Sequence, residues 1–189
     1  DAGLLREGDS ADIILVDNLN TMNILETWIS GIKVYDRGVV SFEADRSREV
    51  NNFNCSYVNT DDIKIINLGG QIRIIQAYDG ELLTRELLVS AGSDKVIKQD
   101  IKNDYLKIVV KDRYNDRAPI IGLIKGFNLK KGAFASSVAH DSHNIICVGT
   151  NDNDIIAAVN SIVDMKGGLA FVCENKISSL KLNIGGIMT

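Results

Sequence analysis

The chain has 189 residues, enough for one domain or two small ones with a core. Hydrophobic residues make up 45% and charged residues 24%, a globular composition that excludes intrinsic disorder. A formal net charge of -4, with Lys and Arg scattered, excludes a basic patch for phosphates, so neither nucleic acid nor a membrane is expected as a partner.

Cys55, Cys147 and Cys173 are an odd set at unrelated spacings. They form no disulfide framework or CxxC metal site, and a reducing cytoplasm is expected. No apolar run reaches the roughly 18 residues of a membrane helix, and no signal peptide is visible. The sequence opens on Asp1 without Met and stops at Ile187-Met188-Thr189, after Gly185-Gly186. We read both ends as cut and expect a fragment.

Residues 1–45 read as a β-rich unit. Gly8-Asp9-Ser10 is turn chemistry, Ala11 to Asp17 a short strand, and 22–29 a second strand. Ser30-Gly31 then turns the chain into Ile32-Lys33-Val34-Tyr35-Asp36, with Arg37-Gly38 ending the return strand. Trp28 and Tyr35 are expected to pack within this hairpin. Residues 43–60 are polar and rich in Asn (Asn51, Asn52, Asn54, Asn59), suiting either a domain boundary or a surface loop with a short helix. The remainder, 46–189, is expected to form a second domain. Its β-branched segments predict strands at 72–78, 82–89, 105–112, 119–126, 133–139, 145–149, 169–174 and 177–183. One helix is predicted over 152–166. Asn151 or Asp152 would cap it, Ile155, Ile156, Val159, Ile162 and Val163 would form its apolar face, and Gly167-Gly168 would stop it. Many strands, one helix and no βαβα order predict an α+β fold with a mixed or antiparallel sheet.

The only two histidines lie in His140-Asp141-Ser142-His143-Asn144, between two segments that look buried. Imidazole, carboxylate, hydroxyl and amide gathered there could serve acid–base work, metal binding or recognition of a base edge. The same residues also suit a hydrogen-bonded turn, and composition alone leaves both readings open. A metal site on His140, Asp141 and His143, with Cys147 on the next strand, is the minor alternative, because zinc sites take three or four converging ligands. Arg113, after the strand ending at Lys111, could bind an anion or stack on a ring, or could be a solvated strand-end charge. Ser136-Ser137 lacks a nucleophile-elbow setting, and no phosphate-binding glycine loop is present.

Taken in order, these segments resemble one family. Gly8 to Ile14, with Trp28 to Tyr35, resembles the small β-sandwich that follows the barrel in amidohydrolases, a pattern shared with dihydroorotases, ureases and imidazolonepropionases. Residues 125–144, then Val148 to Asp152 and Gly167-Gly168, are similar to the C-terminal domain of bacterial adenine deaminases. That resemblance covers essentially the whole chain. Tyr114 stands where many members have His, Asn128 where many have Gly, and Asn183 where many have Pro.

The resemblance implies hydrolytic deamination of adenine to hypoxanthine and ammonia in purine salvage. It places the chemistry in a (β/α)8 barrel upstream of Asp1, where Mn or Fe would activate water and a barrel carboxylate or His would move protons. It further implies a chain that continues beyond Thr189, a homo-oligomeric enzyme, and the barrel and adenine as partners. No catalytic residue is expected in this chain, which alone would be inactive. His140, Asp141, Ser142, His143, Asn144 and Arg113 are its candidates for the substrate pocket or a lid. Two other readings are a non-catalytic structural or oligomerisation domain of another amidohydrolase, and a small metal-binding module.

Overall fold

A computed structural model describes residues 4–43 and 51–189. The chain divides into two compact units, Asp1–Arg48 and Glu49–Thr189.

In the first unit, β1 (Ile13–Val16), β2 (Ile24–Ile29), β3 (Ile32–Asp36) and β4 (Val39–Val40) form one antiparallel sheet in sequence order. Ser30 and Gly31 both have positive φ (48° and 78°), as a two-residue hairpin turn requires. Arg37-Gly38 repeats that geometry (44° and 97°), so the chain doubles back into β4 where the sequence suggested only an end. On the sheet, Lys33 Nζ lies 3.0 Å from Glu26 and 3.1 Å from Asp36, and 5.1 Å from the centre of the Trp28 ring. Among the described residues 4–43 none is buried, so this sheet has no core of its own.

The described part of the second unit begins with residues 51–63, of which 51–60 belong to the stretch 43–60 that the sequence marked as polar. This segment nevertheless buries Val58 and Ile63 and is tied down by Asn160, whose side chain accepts from Val58 N (2.8 Å) and donates to Val58 O (3.0 Å). The main sheet is built from β6 (Gln71–Gln76), β7 (Arg85–Ser90), β9 (Leu106–Lys111), β10 (Ile120–Lys125), β11 (Ala133–Ser136), β12 (Ile145–Gly149), β13 (Gly168–Cys173) and β14 (Lys176–Lys181). Two-residue strands β5 (Ile65–Ile66) and β8 (Val96–Ile97) pair beside it. The order across the large sheet is β14-β13-β11-β12-β9-β10-β6-β7, antiparallel everywhere except the parallel β10–β6 pair. This is the α+β class and the mixed sheet that the sequence predicts.

The α-helix α1 (Asp152–Met165) packs on β11, β12 and β13. Asn151 caps it, its side-chain oxygen accepting from Asp154 N at 2.9 Å, and Asp152 and Asp154 complement the dipole in the first turn. Lys166 ends it in the left-handed conformation (φ 56°). Ile155, Val159 and Ile162 are fully buried, each contributing on the order of 2 kcal/mol. Opposite them lie Ala133, Ala135, Cys147 and Ala170, small enough to seat the helix closely. Gly149 belongs to the same fit, since a Cβ there would collide with Ile155 Cγ1. The other face of the sheet is more open, with Phe134, Phe171 and Leu180 exposed. Among the described residues no helix is long and apolar enough to cross a membrane.

Candidate functional site

The site is built where β9 ends and β12 begins. Lys111 is paired with Ile145 at that edge, so residues 112–114 and 143–144 leave adjacent strands at the same end of the sheet. Asp112 shapes the exit from β9. Its carboxylate accepts from Tyr114 N (2.9 Å), Asn115 N (3.1 Å) and Asn115 Nδ2 (3.0 Å). The side-chain bond from Asn115, then the backbone bonds, hold its pKa below the usual carboxylate range.

This turn leaves Arg113 only 4% exposed, so the solvated strand-end reading is not the one realised. Its guanidinium carbon lies 4.8 Å from the Tyr114 ring centre and 5.8 Å from that of Phe53, the stacking the sequence allowed for. Nη2 donates to the Tyr114 hydroxyl at 3.0 Å, while Nε and Nη1 have no partner among the described residues. Such ring contacts contribute about 1 kcal/mol each, against a burial penalty of several kcal/mol for a cation. Gly186, in left-handed backbone (φ 75°), makes the burial possible, because a Cβ there would stand 2.5 Å from Nη1.

The loop from β11 to β12 carries the histidines. Strand β11 stops at Ser136, earlier than the predicted 139, because Ser137 is drawn elsewhere. Its hydroxyl accepts from Gly168 N (2.7 Å) and donates to Gly186 O (2.5 Å), and the residue is fully buried. Ser137 is therefore a strut, not a nucleophile. The His140–Asn144 stretch then folds as a tight turn, with Ser142 N donating to His140 O (2.9 Å) and His143 N to Ala139 O (2.7 Å). Asp141 (φ 69°) and His143 (φ 51°) both take left-handed backbone, which costs a non-glycine residue about 1 kcal/mol or more.

The turn separates its own polar groups. His140 and Asp141 pair with each other (Nδ1 to Oδ1, 3.0 Å) with side chains 96% and 90% exposed. Ser142 is also exposed. His143 and Asn144 are half-buried, and His143 Nδ1 and Asn144 Oδ1 are buried without a partner among the described residues. The structure thus does not assemble His140, Asp141 and His143 as a ligand set, and no three His, Cys, Asp or Glu side chains gather for a metal ion among the described residues. Cys147 lies buried in the core, its thiol pushed up by burial.

The sequence did not single out Asn51. It donates to Lys166 O at 2.6 Å and leaves its own Oδ1 buried and unpartnered. Lys166 in turn abuts Gly186, and Gly186 abuts Arg113. Lys166 and Gly186 thus link Asn51 to Arg113, and His143 and Asn144 enter β12 at the end of the sheet where Arg113 leaves β9. Asn51, Arg113, His143 and Asn144 hold all the buried side-chain atoms found without a partner among the described residues. The arrangement offers donors at Arg113, an acceptor at Asn144 and an imidazole nitrogen able to act either way.

A family model for the adenine deaminase C-terminal domain matches residues 81–189, more than half of the chain. The chain belongs to this family. Similar full-length relatives named adenine deaminase come from Methanosarcina mazei (44% identical, covering 99% of this chain), Parabacteroides distasonis (39%, 100%) and Borreliella afzelii (39%, 99%). The chain spans about a third of their length, 36%, 35% and 34% respectively.

Proposed function

We propose that this chain is the C-terminal part of a longer adenine deaminase, which hydrolyses adenine to hypoxanthine and ammonia in the cytoplasm as a purine-salvage step. Identity near 40% to adenine deaminases along the whole chain supports this reading. The catalytic barrel would lie outside these residues, since the described ones contain one α-helix and no alternating strand–helix series. A divalent metal, Mn or Fe in our reading, does not fit the described side chains and would be held by that other part. The sheet of residues 4–43, without a buried residue, is suited to be one layer of a β-sandwich completed by the rest of the protein.

Within the enzyme, the His143–Asn144 end would form one edge of the adenine pocket, with Arg113 behind it. The single observation behind this is the clustering of unpartnered buried polar atoms at one sheet end. Strained backbone at His143 adds to it, because such strain concentrates at functional sites. The test is His143→Ala in the full-length protein. We expect kcat/KM for adenine to fall about tenfold or more, equal to ~1.4 kcal/mol of lost contact, with the melting temperature unchanged. Unchanged activity per folded molecule would reject the pocket edge. The 189-residue chain incubated with adenine and Mn²⁺ should release no ammonia above background.

A second reading, that this part mainly buttresses the barrel or joins protomers, draws on the exposed Phe134, Phe171 and Leu180. It expects His143→Ala to lower stability and spare turnover.

A further inference from the structure

Strand β9 and its exit carry three buried cations, Lys107 (1% exposed), Lys111 (3%) and Arg113 (4%). Lys107 and Lys111 lie on the helix-covered face, opposite Gly149 and Ile145 in the ladder. Two of the three are neutralised. Lys107 Nζ meets Asp152 at 2.6 Å and Ile63 O at 2.8 Å. Lys111 Nζ meets Asp116 at 3.0 Å and Arg117 O at 2.7 Å. Each lysine thus has one carboxylate and one carbonyl.

Arg113 has neither among the described residues. A guanidinium cannot lose its proton to relieve the charge, so burial leaves it demanding an anion. Adenine is neutral and does not meet that demand. We propose that Arg113 is the receptor of a carboxylate-binding site. Of the two Nη2 hydrogens one lies on the edge shared with Nε and the other on the edge shared with Nη1. Tyr114 takes one of them, which leaves one edge open to a two-pronged carboxylate and one further nitrogen able to donate singly. The ring faces of Tyr114 and Phe53 wall a site for a single negative charge. One cation between aromatic walls balances a carboxylate and would leave a phosphate dianion half-neutralised. The carboxylate comes from an Asp or Glu side chain in the remainder of the longer protein, or from a small free acid. This inference stands apart from the adenine reading, and either can fail without the other.

The test uses the 189-residue chain with ¹⁵N-labelled arginine and acetate as probe, with sodium chloride balancing ionic strength. One Nε–Hε resonance, assigned by its absence in Arg113→Lys, should shift saturably, and the melting temperature should rise. Arg113→Gln should lose the rise, while the exposed control Arg73→Gln keeps both responses. In the full-length protein, a resonance already shifted and insensitive to acetate assigns the carboxylate to the protein's own side chain. One that still responds assigns it to a free acid. Absence of any saturable shift in both proteins overturns the proposal. So does a chain in which Asp45→Asn or Glu49→Gln alone moves the Arg113 resonance, since the partner would then already be present. The wild-type titration remains decisive if an Arg113 variant fails to fold.

Discussion

At the Gly149 end of the β9–β12 pair, the buried Lys107 ammonium is held by Asp152, which also accepts from Gln99 Nε2 at 2.7 Å. The first turn of α1 closes over it, with Gly149 clearing the way for Ile155. At the Ile145 end the buried Arg113 keeps two nitrogens without partners among the described residues, and His143 and Asn144, at the same end of the sheet, keep one atom each. Both ends bury cations in the same sheet, but Lys107 and Lys111 each find a carboxylate within the chain, whereas Arg113 finds none among the described residues. A charge satisfied internally serves the fold, whereas one left open implies something that arrives from outside.

The comparison can be broken by taking charges away at each end. Asp152→Asn would leave Lys107 buried without its carboxylate, and we expect a loss of about 3 kcal/mol in urea unfolding. Gly149→Ala should cost on the order of 2 kcal/mol by pushing α1 from the sheet, read from the same denaturation curves. Arg113→Met in the 189-residue chain should have the opposite sign, a gain of about 1 kcal/mol, because it removes an uncompensated buried charge. A loss there as large as that for Asp152→Asn would erase the distinction between the two ends.

A finer test lies at Lys111, which shares the Ile145 end with Arg113 but has its carboxylate. Bonds from the Ser56 side chain and backbone, then from Lys111, hold the Asp116 carboxyl at about 2, below its ordinary 3.8. A depressed folded-state pKa contributes stability above the unfolded value, and that stability is lost as pH falls through the folded one. Melting temperatures of wild type and Asp116→Asn should therefore differ above pH 3.8 and converge as pH falls toward about 2. The smallest effect is expected at the outermost pair, where His140→Ala should change stability by less than about 0.5 kcal/mol.

Much of this was legible in the sequence wherever a pattern repeats locally. Alternating β-branched residues located Leu106–Lys111 and Gln71–Gln76 to within two residues, and Asn151 with Ile155, Val159 and Ile162 located the helix and its buried face. The end of β11 was not legible, because Ser137 leaves the strand for partners at Gly168 and Gly186. Nor was the burial of Arg113, which depends on Phe53 far upstream and on the missing side chain of Gly186 far downstream. The histidine turn was visible as a cluster, but not its division into an exposed pair and a half-buried pair, which the left-handed backbone at Asp141 and His143 imposes. Tyr114 provides the hydroxyl that Arg113 bonds.

The buried cysteine of β12 has a use of its own. Cys147 is 1% exposed, and burial alone pushes its thiol well above the ordinary value, so the native core presents no thiolate to an alkylating reagent. Modification at this sulfur can proceed only during the intervals when α1 lifts from β12. Its labelling rate therefore acts as a clock for the opening of the helix–sheet layer. Cys55 and Cys173, both half-buried, provide the faster reference against which that clock is read.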